Sequence, residues 1–206
     1  MKTKSLKNKR IAILATNGFE KSELFDPKKN VEAAGATVDV ISLKSGKIKS
    51  WDKKDWGKSV EVDCTVTSAS SDDYDGLLLP GGVMNPDTLR ISKDAIEFIT
   101  EFVNAGKPIG AICHGSWTLI ETSAVTGKTL TSWPSLKTDL ENAGATWVDK
   151  EVVVDGTLVT SRKPDDIPAF SAKFIDLVAG ASDSRSPNPK NVAKKAKSKM
   201  TSLSRH

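Results

Sequence analysis

The residues best suited to chemistry in this chain are Cys113 and His114, adjacent in the run Ala111-Ile112-Cys113-His114-Gly115. They are one of two cysteines and one of two histidines, and the other histidine is the terminal His206. Pro108 to Ile112 is apolar and reads as a strand, while Ser116 to Glu121 reads as a helix, so Cys113 falls on a strand-to-helix turn. Such a turn lifts a side chain above the sheet, as the nucleophile elbow of hydrolases lifts a serine, with small neighbours relieving the tight backbone. A cysteine placed there gains the positive end of the following helix, and the thiolate is its reactive form. The backbone N–H groups of His114 and of the Gly82-Val83 turn are expected to converge on an oxyanion opposite the sulfur. Cys64 sits in the alternation Val60, Val62, Cys64, Val66 and reads as a small buried hydrophobe.

A nucleophile needs proton-handling partners. Neighbours on a turn point in different directions, so His114 is expected to give its backbone N–H and an indirect proton path. An acid must then orient the imidazole. Asp87, just beyond Gly81-Gly82, is the candidate, within the chain or across a subunit interface, although the same residue would also suit a helix start. Glu20, in Gly18-Phe19-Glu20-Lys21-Ser22-Glu23, lies beyond the first strand, where burial would keep a carboxyl protonated enough to hydrogen-bond a thiolate. Glu23 reads as a surface acid of the same helix start, with Ser22 close by as a cap. These roles call for no cofactor and no metal.

The elements that must position these groups alternate along the chain. Arg10 to Ala15 reads as a strand, Ser22 to Ala34 as a helix stopped by Gly35, and Thr37 to Leu43 as a second strand. Ile48 to Trp51 and Ser59 to Cys64 suggest a hairpin around Gly57. Leu77-Leu78-Leu79 is a buried strand ending in Pro80-Gly81-Gly82, and Asp94 to Asn104 carries helix-spaced Ile96, Ile99 and Val103. Strand Leu130 to Ser132, helix Pro134 to Ala143, strands near Trp147 and over Val152 to Val159, and helix Pro164 to Val178 follow. Alternating strands and helices, several strands being continuously apolar, predict a three-layer α/β/α sandwich with a mostly parallel sheet covered on both faces. Sites in such sheets lie at the carboxyl ends of strands, where Gly18 to Glu23, Gly81-Gly82 and Cys113-His114 all fall.

Composition limits the remaining choices. The 206 residues, 38% hydrophobic and 27% charged, suit one domain, read as 10–180 between a basic extension at 1–9 and a basic, unpacked tail at 181–206. The net charge of +4 is misleading, because residues 1–10 hold five Lys/Arg and no acid, and residues 181–206 hold seven Lys/Arg and one acid. The body between them is acidic, which argues against a folded nucleic-acid face and leaves only weak, nonspecific polyanion contact to the tail. Two widely spaced cysteines build neither a disulfide framework nor a zinc site, which points to a reducing, cytoplasmic compartment. No stretch reaches the ~20 apolar residues of a membrane span, and Ile11 to Ala15 is too short for a signal peptide.

In order, Asn17-Gly18-Phe19-Glu20-Lys21-Ser22-Glu23-Leu24, Leu79-Pro80-Gly81-Gly82, Ala111-Ile112-Cys113-His114-Gly115, Thr131-Ser132-Trp133-Pro134 and Asn142-Ala143-Gly144-Ala145 resemble the ThiJ/PfpI family over about Arg10 to Gly180, most nearly its PfpI-type branch. The resemblance implies a flavodoxin-like or class I glutamine amidotransferase-like fold, a homodimer or higher homo-oligomer, and a Cys113-centred site beside Glu20. In that branch a neighbouring subunit's acid completes a cysteine, histidine and acid triad; here the place falls in Val83-Met84-Asn85-Pro86-Asp87, with an extra residue and an aspartate for the usual glutamate. The family's reactions include cofactor-free glyoxalase and deglycase chemistry on small aldehydes and glycated proteins, intracellular cysteine peptidase activity, and stress chaperoning. Thiolate addition to an aldehyde, with Glu20 moving protons, is the expected chemistry. Peptide hydrolysis is the rival enzyme reading, and a redox-sensing holdase that survives loss of Cys113 is the rival from another class.

Overall fold

The computed structural model describes residues 4–181; the basic segment expected as an unpacked tail lies, from residue 182, outside them. The chain opens with β1 (Arg10–Leu14), β2 (Phe19–Glu20), α1 (Lys21–Ala33), β3 (Thr37–Ser42), β4 (Gly46–Asp52), β5 (Asp55–Val62) and β6 (Cys64–Thr65). It continues through β7 (Gly76–Leu79), α2 (Met84–Arg90), α3 (Lys93–Asn104) and β8 (Ile109–Ile112). A 3-10 segment (Cys113–Glu121), β9 (Thr129–Leu130), α4 (Lys137–Asn142), β10 (Thr146–Trp147), β11 (Val152–Asp155), β12 (Leu158–Ser161) and α5 (Ile167–Gly180) complete it.

The apolar runs become the centre of a seven-stranded sheet of order β11-β12-β8-β7-β1-β3-β6, parallel except for the β11–β12 pair. Side chains alternate across a strand, and here both faces are buried. Ile11 and Ile13 of β1, with Leu78 of β7, pack under α1 and α5 against Leu24, Val31, Phe170 and Phe174. Ala12 and Leu14, with Leu77 and Leu79, pack on the other face against Phe98, Ile99 and Phe102 of α3. The three-layer sandwich predicted from continuous apolar strands is the architecture found. Topology also fixes the site: the chain leaves β1 for β3 on one side and reaches β7 on the other, so β1, β7 and β8 are adjacent and their carboxyl ends open together at the switch point.

Four local features differ from the sequence reading. The hairpin turns at Lys53-Lys54, where Lys53 takes a φ of 59°, and Gly57 lies inside β5. The stretch Val152 to Val159, read as one strand, spans both arms of the antiparallel pair β11–β12, reversed at Gly156. Met84–Arg90 forms a helix that Pro86 had concealed. The packed body also begins before Arg10: Leu6 is fully buried, and its N–H bonds Ala34 O at 2.7 Å.

Candidate active site

Cys113 stands at the carboxyl end of β8 with a φ of 59°, a conformation that costs a side-chain-bearing residue roughly 1–3 kcal/mol. The surrounding packing enforces it. A Cβ on Gly115 would stand 2.2 Å from Leu79 O, so the turn fits beneath the end of β7 only with glycine there. A Cβ on Gly81 would stand 2.6 Å from Glu23 Oε2 and 2.8 Å from both Cys113 Cβ and His114 N. Its absence is what lets a carboxyl, a sulfur and a backbone amide meet. Asn85, fully buried on α2, stitches the two neighbouring loops: it accepts from Thr16 N at 2.7 Å and donates to Pro80 O at 2.9 Å and Gly81 O at 3.2 Å.

The acid beside the sulfur is Glu23. The environment expected for Glu20 belongs to this residue, and the reason is local. Glu20 is the N-cap of α1: its Oε2 accepts from Glu23 N at 3.0 Å and from Ser22 Oγ, and the half-buried side chain is held at the helix end. Glu23, one turn on, points inward with Leu24, Pro27 and Val31 and is 2% exposed. Its Oε2 accepts from Gly81 N at 2.9 Å, its Oε1 is buried without a hydrogen-bond partner among the described residues, and the carboxyl lies beside the Cys113 side chain across Gly81. The 23, 27, 31 spacing of one buried helix face was the sequence signal that marked it.

Electrostatics follow from burial. Burial first, then the nearby charge of Glu20, pushes the Glu23 carboxyl up to about 8. Burial first, then the charge of Glu23, pushes the Cys113 thiol up, while the N–H groups of His114 and Gly82 donate to the sulfur and pull it back. Burial therefore outweighs the activation expected from the turn alone. The two shifts belong to one coupled titration: when the proton sits on Glu23, the charge opposing a thiolate is gone and a hydrogen-bond donor has replaced it. Gly82 and His114, expected as oxyanion donors, thus direct their amides at the sulfur itself.

The His114 side chain also differs from expectation, because its Nδ1 lies 3.3 Å from Cys113 Sγ. Burial lowers its pKa, so the ring is neutral at pH 7. Trp133 stacks on it at 6.0 Å and 26°, Trp117 meets its edge at 6.3 Å, and Ser135 Oγ lies 3.4 Å from Nε2. Asp87 is exposed on α2, and none of His114's hydrogen bonds among the described residues is to it. The triad acid anticipated at Asp87 is thus absent from this chain's own site. Sequence reasoning gave no role of their own to Asn85, Trp133 and Ser135, whose types carry no catalytic signature.

No group of three or more His, Cys, Asp or Glu suited to a metal occurs among the described residues, nor does any helix there have the length and apolarity to cross a membrane. Comparison with known proteins finds relatives over most of the chain. General stress protein 18 of Bacillus subtilis (strain 168) is 43% identical over 171 residues, covering 82% of this chain and 98% of that protein. Protein/nucleic acid deglycase 2 of Escherichia coli (strain K12) is 41% identical over 172 residues, covering 83% and 98%. The crystal structure of Drosophila melanogaster DJ-1beta matches with a TM-score of 0.76 at 29% identity, covering 91% of this chain and 97% of that one. With the sequence model of the DJ-1/PfpI family matching residues 9–177, this chain belongs to the DJ-1/PfpI family.

Proposed function

We propose that this protein is a cofactor-independent cysteine enzyme of stress protection that acts on reactive aldehydes and their protein adducts, as a glyoxalase or deglycase. The observation that carries the reading is the Glu23 carboxyl, raised to about 8 and held against the Cys113 sulfur. Near neutral pH the raised carboxyl keeps its proton beside the sulfur, and loss of one proton from the pair leaves a nucleophile next to a proton donor, which is what carbonyl addition and proton transfer between adjacent carbons require. Similarity to a relative named as a deglycase and to another named as a general stress protein supports the same direction.

For an α-oxoaldehyde the steps balance as follows. The thiolate of Cys113 adds to the aldehyde carbon, a C–S bond forms, and the carbonyl π pair becomes an oxyanion that takes the Glu23 proton. The Glu23 carboxylate then removes the proton from the carbon bonded to sulfur and returns one to the neighbouring carbon, while the hydroxyl proton on the sulfur-bearing carbon passes to the neighbouring oxygen, giving a 2-hydroxy thioester. Water hydrolyses the thioester and frees the thiol. No external oxidant or reductant enters. His114, neutral and 3.3 Å from sulfur, assists the thiolate, and the Gly82 and His114 amides steady its charge. Assembly of the protein as a homo-oligomer in the cytoplasm belongs to the same proposal, with its resemblance to PfpI-type proteins as support.

The test is lactate formation from methylglyoxal by the purified chain without glutathione or added metal. Turnover is expected in the wild type, with a loss of at least about 1,000-fold in Cys113→Ala. Lack of turnover in the wild type would overturn the reaction. The close Cys113–His114 pair favours cysteine peptidase activity as a second reading, which hydrolysis of an unfolded protein by the same preparation, abolished in Cys113→Ala, would establish.

A further inference from the structure

We propose that His114 is positioned within its own chain by the Ser135 hydroxyl, with the Trp133 ring fixing the imidazole plane, so that Nδ1 carries the proton facing Cys113. The assignment rests on Cys113 acting as a thiolate, and it makes Ser135 a positioning residue supplied by the same chain.

The argument is one of donors and acceptors. A neutral imidazole has one N–H and one lone pair. If Nε2 held the proton, Nδ1 would turn a lone pair toward an anionic sulfur 3.3 Å away, two acceptors with nothing between them. With the proton on Nδ1, the sulfur receives a hydrogen bond and Nε2 needs a donor. Ser135 Oγ, 3.4 Å from Nε2, is a hydroxyl and supplies one. A carboxylate in that place accepts only and would draw the proton to Nε2, selecting the opposite tautomer. Serine and acid are therefore not interchangeable orienting groups at this ring.

The loop carrying Ser135 is indexed to the nucleophile. Trp133 N donates to Cys113 O at 3.3 Å, and Leu136 N donates to Trp133 O at 3.1 Å across the short 3-10 turn Pro134–Leu136. Behind it, Trp147 Nε1 donates to Ser132 Oγ at 3.0 Å, and that hydroxyl donates to Trp133 O at 2.9 Å. The charged groups packed around this corner are engaged elsewhere: Asp139 accepts from Trp117 Nε1 at 3.0 Å, and Arg90 pairs with Glu121 and lies over the Trp117 ring. No carboxylate hydrogen-bonds the imidazole among the described residues.

The experiment uses the full chain in a Cys64→Ala background and follows iodoacetamide alkylation of Cys113 against pH, alongside kcat and KM for methylglyoxal. In Ser135→Ala the alkylation midpoint is expected to move up by about one pH unit and kcat to fall about tenfold, the size of one hydrogen bond to a charged partner network, with KM held within twofold. Ser135→Thr is expected to restore both. Ser135 is exposed, so its truncation leaves the core intact. A wild-type alkylation profile in Ser135→Ala overturns the assignment, and a shift in Asp87→Asn would then return the orienting role to an acid. The alkylation profile decides this even if the wild type does not turn over methylglyoxal, which would overturn the proposed reaction instead.

Discussion

At Glu23 burial opposes ionisation, so the folded protein holds a proton that the unfolded chain releases near the ordinary glutamate pKa. A folded pKa raised to about 8 contributes stability that is complete below the unfolded value and is lost as pH rises through the folded one. Unfolding by urea is therefore expected to show stability falling between about pH 4.5 and 8 by on the order of 5 kcal/mol, with Glu23→Gln flattening that slope. A slope unchanged in Glu23→Gln would place the titration elsewhere. Glu20 is expected to behave differently, because its carboxyl caps α1. Glu20→Ala should cost about 1 kcal/mol of stability and leave turnover within a few fold, as denaturation and rate measurements would show. The place of Cys113 on a tight turn at the end of β8 was legible from its flanking residues alone. Glu23 and Glu20 exchanged places because both stand at a helix start, and only the inward spacing of Glu23, Pro27 and Val31 separates them.

Elements bring three loops to one point, and the bonds between the loops are where the site is most easily broken. Thr16 N, Pro80 O and Gly81 O all depend on the Asn85 side chain in a fully buried position. Asn85→Ala orphans these groups, and a loss of about 2–4 kcal/mol is expected in chemical denaturation. Gly115→Ala is expected to be worse, since its Cβ would meet backbone at 2.2 Å with no flexible atom to give way; soluble yield and thermal unfolding would report it. Strands β1, β7 and β8 were plain in the sequence because both their faces are buried and they read as continuous apolar runs. Helix α2 was not, because Pro86 sits in its first turn, where the missing N–H costs nothing, and a proline read by itself signals a break.

In the whole molecule, two cores on opposite faces of one sheet hold these ends in register. The body starts earlier than charge alone suggests, since the basic run Lys4 to Arg10 contains Leu6, packed with Val31 and Val178 in the core under α1 and α5. Leu6→Ala is expected to cost about 2–5 kcal/mol in denaturation, whereas an unpacked extension would lose nothing. Composition hid this because a single apolar residue among lysines has no periodicity. The central claim is that the proton serving Cys113 resides on Glu23, and the most direct test is kcat/KM for lactate formation from methylglyoxal in Glu23→Gln beside Glu20→Gln. A loss of about 100-fold or more confined to Glu23→Gln is the expected result; full activity in Glu23→Gln, with the loss appearing in Glu20→Gln, would contradict it.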